Sequence, residues 1–400
     1  MSRVKVSLGE LIHVKHGYAF KGEYFSDNGN FILLTPGNCY EKGGLKLKGE
    51  KEKYYAGDVP DDFILNQGDM LIVMTDLVNT APILGGAFYI PNDNVFLHNQ
   101  RLGLAQIKDS KKISKRYLYY ILNWENYRAQ IRGSATGATV RHTAPERIYK
   151  CSVEIPREIS VQEKIADVLS GYDDLVENNL RRIELLEESV RLLYREWFAH
   201  LRFPGHEHTK ITNGVPAGWG KKTLIEIADL TMGQSPKSKY YNEDGEGLPF
   251  HQGVTNFGTR FVSHKMYCSV QNRIAEEDDI LCSVRAPVGR LNVTLDKVVI
   301  GRGLSAIRSK TNNQSLLYYQ LRSHFFQEDI IGTGTIYAST TRNEMQKQEF
   351  LQPEKKLVDL FEGISIPIDK QIKNLFIQNQ NLIKARDILL PRLMNGEIAV

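Results

Sequence analysis

A chain of 400 residues, 42% apolar and 10% aromatic, is long enough for two or three units that each bury a core. No apolar stretch follows Met1-Ser2-Arg3-Val4-Lys5 and no run of 18 apolar residues occurs, which argues against export by such a signal and against a membrane span and makes a cytoplasmic location the expectation. The four cysteines, Cys39, Cys151, Cys268 and Cys282, are scattered without a C-x-x-C pair, so they read as buried thiols in a reducing compartment. The net charge of +4 is unevenly spread: residues 158–198 hold ten acidic and five basic side chains, residues 354–400 six and seven, and the rest carries +8. That excess suits a phosphate backbone and equally suits an ordinary mixed surface, so charge alone names no partner.

In chain order, short β-branched runs bounded by Gly, Pro and Asp predict strands at Phe31–Leu34 and Leu71–Met74, followed by a helix near Arg116–Arg132. Pro156 marks the approach to a long helix. Its apolar stripe, Ile165, Leu169, Tyr172, Val176, Asn179, Ile183, Leu186, Val190, Leu193 and Trp197, steps alternately by four and three. That 3.5-residue period is a coiled-coil seam, and a single polar Asn within it is a register-fixing device. Leu201-Arg202-Phe203-Pro204-Gly205 ends the helix, and Asn213–Trp219 is a turn-rich linker. A second unit follows, with a strand at Val298–Ile300 and a helix near Gln314–Ile331, and Pro353 precedes a second seam. This one runs Ile368, Ile372, Leu375, Asn379 and Leu382, then Leu389 and Leu393 after Arg386. Helices of about 40 residues would each be about 60 Å long, so the expectation is two globular units on a stiff ruler. The fold class is α+β: units at 1–155 and 204–353, helices at 156–203 and 354–400.

The two units are copies. Ser7-Leu8, Glu10-Leu11 and Gly17 correspond to Thr223-Leu224, Glu226-Ile227 and Gly233; Gly68-Asp69 to Asp278-Asp279; Ala81-Pro82 with Gly85 to Ala286-Pro287 with Gly289. Leu118-Tyr119-Tyr120 matches Leu317-Tyr318-Tyr319, and Gly133-Ser134 with Thr136 matches Gly332-Thr333 with Thr335. A repeated framework with loops of unequal length is the pattern of a duplicated recognition domain.

Motifs for chemistry are missing. No N-P-P-[YFW] or D-P-P-Y run occurs, as an amino-methyltransferase would need. Gly301-Arg302-Gly303-Leu304-Ser305-Ala306 has the spacing of a cofactor glycine fingerprint, but an alternating strand pattern follows it instead of a helix and an acid. Gly220-Lys221-Lys222-Thr223 lacks the first glycine of a phosphate loop. His200, His206 and His208 near Glu207 read as solvated junction residues rather than metal ligands, and Asp58–Asp62 is followed by no E-x-K, so no metal site and no catalytic residue is assigned.

Polar loops between framework strands remain. Thr75-Asp76-Leu77-Val78-Asn79-Thr80 and Ser283-Val284-Arg285-Ala286-Pro287 leave the same strand in the two copies. Arg285 and Arg290 suit guanine edges or phosphates, Asn79 suits adenine, and Asp76 suits cytosine. Tyr18, Lys21, Lys237, Lys239, Tyr240 and Tyr241 mix aromatic and basic groups in equivalent early loops. These residues, with Thr75, Arg101 and Arg302, form the DNA-binding set, although a solvated loop without a ligand accounts equally well for any single one.

Glu187-Glu188-Ser189-Val190-Arg191-Leu192-Leu193-Tyr194-Arg195-Glu196-Trp197-Phe198, with Arg202-Phe203-Pro204-Gly205-His206-Glu207, resembles the central conserved region of type I restriction-modification specificity subunits. Ala385-Arg386-Asp387-Ile388-Leu389-Leu390-Pro391-Arg392-Leu393-Met394-Asn395-Gly396-Glu397-Ile398 resembles the distal conserved region of the same family. The resemblance implies a non-catalytic subunit whose two target recognition domains each bind half of a bipartite double-stranded DNA sequence, with the helices packed antiparallel as a spacer. It also implies two methyltransferase subunits, which would carry the S-adenosylmethionine that this chain does not bind, and a motor-nuclease subunit. The helices differ in charge, −5 against +1, so the two methyltransferase contacts need not be equivalent. The rival reading is a coiled-coil adaptor whose repeated domains bind proteins.

Overall fold

The computed structural model describes residues 2–325 and 339–400. The chain divides into two units, one made of Met1–Asn178 with Gln378–Val400 and the other of Asn179–Ile377. The division falls inside both long helices, not at their ends.

The first unit opens with the strand Arg3–Ser7, antiparallel to Ser152–Pro156. A one-turn helix, Leu8–Leu11, follows because Ser7-x-x-Glu10 is a capping box: the Glu10 carboxylate accepts from the Ser7 backbone N–H at 2.9 Å. That contact holds the Glu10 carboxyl below its ordinary pKa. The main sheet has four antiparallel strands in the order Ile12–His16, Leu102–Ile107, Met70–Val73, Ala87–Tyr89. Met70–Val73 is buried at every position, because Met70 and Ile72 face the helical layer around Tyr117 and Tyr127 while Leu71 and Val73 face Leu34, Phe88 and Phe96. A strand covered on both faces shows no alternation of apolar and polar residues. The predicted helix near Arg116–Arg132 is two, Lys115–Asn123 and Glu125–Ser134, separated at Trp124, whose backbone is extended. A smaller sheet pairs Phe31–Leu33 in parallel with Phe96–Leu97.

The second unit repeats this order. Gly220–Thr223 pairs with Glu349–Gln352, and Thr223 with Glu226 forms the same capping box. The main sheet runs Ala228–Met232, Leu304–Ser309, Ile280–Ser283, Leu291–Val293. Leu248–His251 lies parallel to Val298–Ile300 in the smaller sheet. The duplicated landmarks therefore fall on matching elements, except that Gly332, Thr333, Thr335 and the end of the helix predicted near Gln314–Ile331 lie outside the described residues, the described helix being Gln314–Phe325.

The long helices span Ile159–Tyr194, continued by a π-helical turn Arg195–Ala199, and Lys355–Met394. Within the first unit, Ile165, Ala166 and Leu169 share a core with Leu393 and Met394, the Asn379 Nδ2 donates to the Val176 carbonyl at 3.2 Å, and Arg386 pairs with Asp173. Within the second unit, Ile183 and Val190 share a core with Val358, Phe361, Ile372 and Leu375. The Phe361 ring lies 6.2 Å from those of Tyr194 and Trp197 and 5.2 Å from that of Phe198. Rising numbers on one helix meet falling numbers on the other in each unit, so the pairing is antiparallel in both. No predicted seam residue is exposed, and Asn179 and Asn379 are both buried. The second seam begins earlier than its sequence pattern shows, at Val358 and Phe361, because buried Ser365 and then Pro367 interrupt the apolar stripe. Pro367 has no N–H to donate, yet the helix continues through it.

Candidate nucleic-acid interface

In the first unit the C-terminal ends of Ile12–His16 and Met70–Val73 and the N-terminal end of Leu102–Ile107 meet at one edge of the main sheet. Gly17 crosses the backbone at Asn99 so closely that an added Cβ would lie 2.2 Å from the Asn99 carbonyl oxygen. The Tyr18 N–H donates to the His98 carbonyl at 2.8 Å, and the Met74 N–H donates to the Arg101 carbonyl at 2.9 Å. These contacts bring Tyr18, Lys21, Arg101 and the loop after Met74 to the same edge.

The second unit builds the same edge with different side chains. A Cβ on Gly233 would lie 2.2 Å from the Gly301 carbonyl oxygen, the Gln234 N–H donates to the Ile300 carbonyl at 3.0 Å, and the Val284 N–H donates to the Gly303 carbonyl at 2.9 Å. By these bonds Tyr18 matches Gln234, Lys21 matches Lys237, Thr75 matches Arg285, and Arg101 matches Gly303. Arg302 matches Gln100, so the two arginines chosen from the sequence stand one position apart on the framework. Arg285 and Arg302, both exposed, line one cavity of about 130 Å³ with Gln252 and Gly253. Arg290, also exposed, lines a second of about 470 Å³ with Thr259, Tyr318 and Arg322. The cationic edge of this unit therefore carries guanidinium groups that line two recesses, donors of the kind that suit guanine O6/N7 or phosphate oxygens.

Of the residues expected to contact DNA, Tyr18, Lys21, Asn79, Arg101, Lys237, Lys239, Arg285, Arg290 and Arg302 are exposed. Two in the first unit need correction. Asp76 is buried, and its carboxylate accepts from the Val78 N–H at 3.0 Å and the Ile83 N–H at 2.8 Å. It anchors the loop and has no oxygen turned to a base. Thr75 is buried too, its Oγ1 3.0 Å from His142 Nδ1 in a short ladder with Arg141–His142. Tyr241 is half-buried, stacked on Phe250 at 4.5 Å, with its hydroxyl donating to the Pro236 carbonyl. Tyr240 is also half-buried and carries the Lys239 ammonium 4.9 Å above its ring.

Sequence reasoning missed Arg128. It is buried on the helix Glu125–Ser134, and its guanidinium donates to the carbonyls of Leu84 at 2.8 Å, Pro82 at 2.5 Å and Glu41 at 3.3 Å. It fixes the far side of the loop that Asp76 anchors. Its signal was an arginine on the apolar face of a helix, beside Tyr127. Two buried histidines, His98 and His251, sit next to these edges. His98 Nε2 lies 2.9 Å from the Leu102 carbonyl, and His251 Nε2 lies 3.0 Å from His264 Nδ1, which is in turn 3.0 Å from Asp296 through Nε2. Burial pushes each down to about 4.

The rejected motifs are framework. Gly301–Gly303 is the turn into the strand Leu304–Ser309, and Gly220–Thr223 is itself a strand. His200 Nδ1 lies 2.8 Å from Glu196 and His206 Nδ1 2.8 Å from the Phe203 carbonyl. Among the described residues no group of three or more His, Cys, Asp or Glu is arranged to hold a metal, and no helix is long and apolar enough to cross a membrane.

Residues 3–188 match the family described as type I restriction modification DNA specificity domain. The chain is 27% identical over 328 residues to a putative type I restriction enzyme MjaX specificity subunit of Methanocaldococcus jannaschii, covering 78% of this chain and 75% of that protein. It is 18% identical over 433 residues to the type I restriction enzyme EcoBI specificity subunit of Escherichia coli, covering 99% and 86%. The crystal structure of a type I restriction-modification S subunit from M. genitalium superposes with a TM-score of 0.60 at 16% identity, covering 98% of this chain and 96% of that one, and so shares its fold.

Proposed function

This chain belongs to the type I restriction-modification specificity-subunit family, and we propose that it reads a bipartite duplex DNA target, one half with the sheet edge of each unit. It is the DNA-addressing subunit and not the enzyme; methylation and cleavage belong to methyltransferase and restriction subunits that join it. Two methyltransferase subunits, one for each half of the target, is the stoichiometry that the duplication favours. S-adenosylmethionine is assigned to those partners. The turn-to-strand conformation of Gly301–Ser309, where a dinucleotide fingerprint needs a helix, supports this assignment. The place of action is the cytoplasm, where the duplex is.

One observation carries the reading: the two units share one framework, yet apart from the lysine pair Lys21 and Lys237 the edge residues it aligns differ, Tyr18 against Gln234, buried Thr75 against exposed Arg285, Gln100 against Arg302 and Arg101 against Gly303. A stability role would conserve the chemistry of the edge, whereas two half-sites of unrelated sequence require it to diverge. The test is to map methylated adenines in cells that carry this chain with its methyltransferase, and to measure duplex binding against salt. The expected result is one two-part motif and an affinity that falls steeply with ionic strength. A protein-binding adaptor would give no motif and no salt-dependent duplex binding.

A further inference from the structure

The loop that follows Met74 in the first unit is six residues longer than its counterpart. The same bond, from a glycine N–H to the preceding strand, is made by Gly85 to the Val73 carbonyl and by Gly289 to the Ser283 carbonyl. The extra chain is stiffly held. Asp76 ties the N–H groups of Val78 and Ile83 together, Arg128 binds the carbonyls of Pro82 and Leu84, and Ala81 turns the chain back at φ 50° while buried in the core. A left-handed non-glycine residue persists only where its surroundings impose it. Beside Asn79 and Thr80, this apparatus presents two large apolar side chains to solvent: Leu77 is 62% exposed and Val78 52%. Exposing two large apolar side chains on a rigid, purpose-held tip brings no folding advantage, and the tip stands at the edge that carries Tyr18, Lys21, Asn79 and Arg101.

Building on the DNA-reading function above, we propose that Leu77 and Val78 read thymine 5-methyl groups in the major groove of the half-site bound by the first unit. A thymine methyl is the one apolar feature that a base pair shows there, and short aliphatic side chains are its natural complement. The first unit then reads at least one T·A pair by apolar contact, while the second works through guanidinium groups at the equivalent edge.

The experiment uses the full chain assembled with its methyltransferase subunit and duplexes carrying the mapped target. Each thymine of the first half-site is replaced in turn by deoxyuridine, which removes only the methyl. At one or more positions binding should weaken about four-fold, the worth of one buried methyl-sized group, and the Leu77→Ala/Val78→Ala variant should be indifferent to the same change. Both side chains are exposed, so the variant should unfold at the wild-type temperature and keep its preference at the second half-site. Methyl-insensitive wild-type binding overturns the inference, and so does undiminished sensitivity in the variant. Loss of assembly with the methyltransferase in place of loss of thymine preference overturns it in favour of a protein contact. If the wild-type complex prefers no sequence at all, the DNA-reading function itself fails; a preferred sequence without methyl sensitivity removes only the role of Leu77 and Val78.

Discussion

Arg260 and Asp369 meet at 2.8 Å inside the second unit, joining a loop next to the recognition sheet to the second long helix. The guanidinium also lies 3.8 Å from the centre of the Tyr318 ring and 3.7 Å from Glu187 on the first long helix, and its side chain is only 7% exposed. One buried cation thus gathers both helices and the helix that begins at Gln314. Replacing it by alanine leaves the Asp369 carboxylate, among the described residues, with only the Ser315 and Tyr319 hydroxyls, while Glu187 keeps Arg322 at 2.9 Å. Arg260→Ala should lower the unfolding free energy of the second unit by about 3–5 kcal/mol, measured by urea unfolding. A change below about 1 kcal/mol would show that the cluster is solvated.

Recognition should separate by unit. Arg285→Ala should relax base preference at one half-site only, by about 1–3 kcal/mol, and Asn79→Ala should act only on the other. Sequencing of methylated sites in cells that carry each variant reads this directly. An Arg285→Ala effect on both halves would contradict the division of labour.

Asp76 offers a sharper contrast, because a base reader and a loop anchor fail differently. Asp76→Asn keeps the shape but sets an amide N–H against one of the two backbone donors that it holds. The expected outcome is a loss of about 1–3 kcal/mol in stability and a general weakening at the first half-site. A switch to a new base at full affinity would restore Asp76 as a reader.

What was legible in the sequence follows from what each pattern reports. The long helices and their Asn residues were plain because 3.5-residue periodicity is a property of the chain itself. The duplication was plain because glycines that cross a backbone, such as Gly17 and Gly233, admit no side chain and so stay recognisable. The arginines of the second edge were singled out by their chemistry and their position after a strand, and all three, Arg285, Arg290 and Arg302, are exposed. Asp76 misled because a carboxylate in a polar loop looks the same whether it faces a base or two backbone N–H groups; only the fold back to Ile83 decides. Arg128 escaped for the converse reason, since its three carbonyl partners are far from it in sequence. The break at Trp124 was hidden by an apolar pattern that continues across it.

Acid should loosen both reading edges. His98 and His251 titrate near 4 in the folded chain against an ordinary value of about 6.5. A depressed histidine stabilises the fold above its unfolded pKa, and that contribution is lost as pH falls from about 6.5 towards 4. At pH 5 each should have given up about 2 kcal/mol. Thermal unfolding from pH 7.5 to 4.5 should show the decline, and His251→Asn should flatten the part owed to the second unit. Glu362 works in the other direction. Burial raises it to about 7, so its contribution is greatest at low pH and disappears as pH rises through 7. Glu362→Gln should therefore stabilise the chain at pH 8 and have little effect at pH 5.

The first unit is not continuous along the chain. Its interior includes Leu393 and Met394, and the Arg3 guanidinium donates to the Met394 carbonyl. During synthesis the amino-terminal segment must wait, with its core open, until nearly four hundred residues have left the ribosome, whereas the second unit has all its parts once residue 377 has emerged. The half made first is therefore finished last. A nascent chain cut short just before residue 378 would hold every part of the second unit but lack the Leu393 and Met394 side chains that complete the core around Ile165 and Leu169.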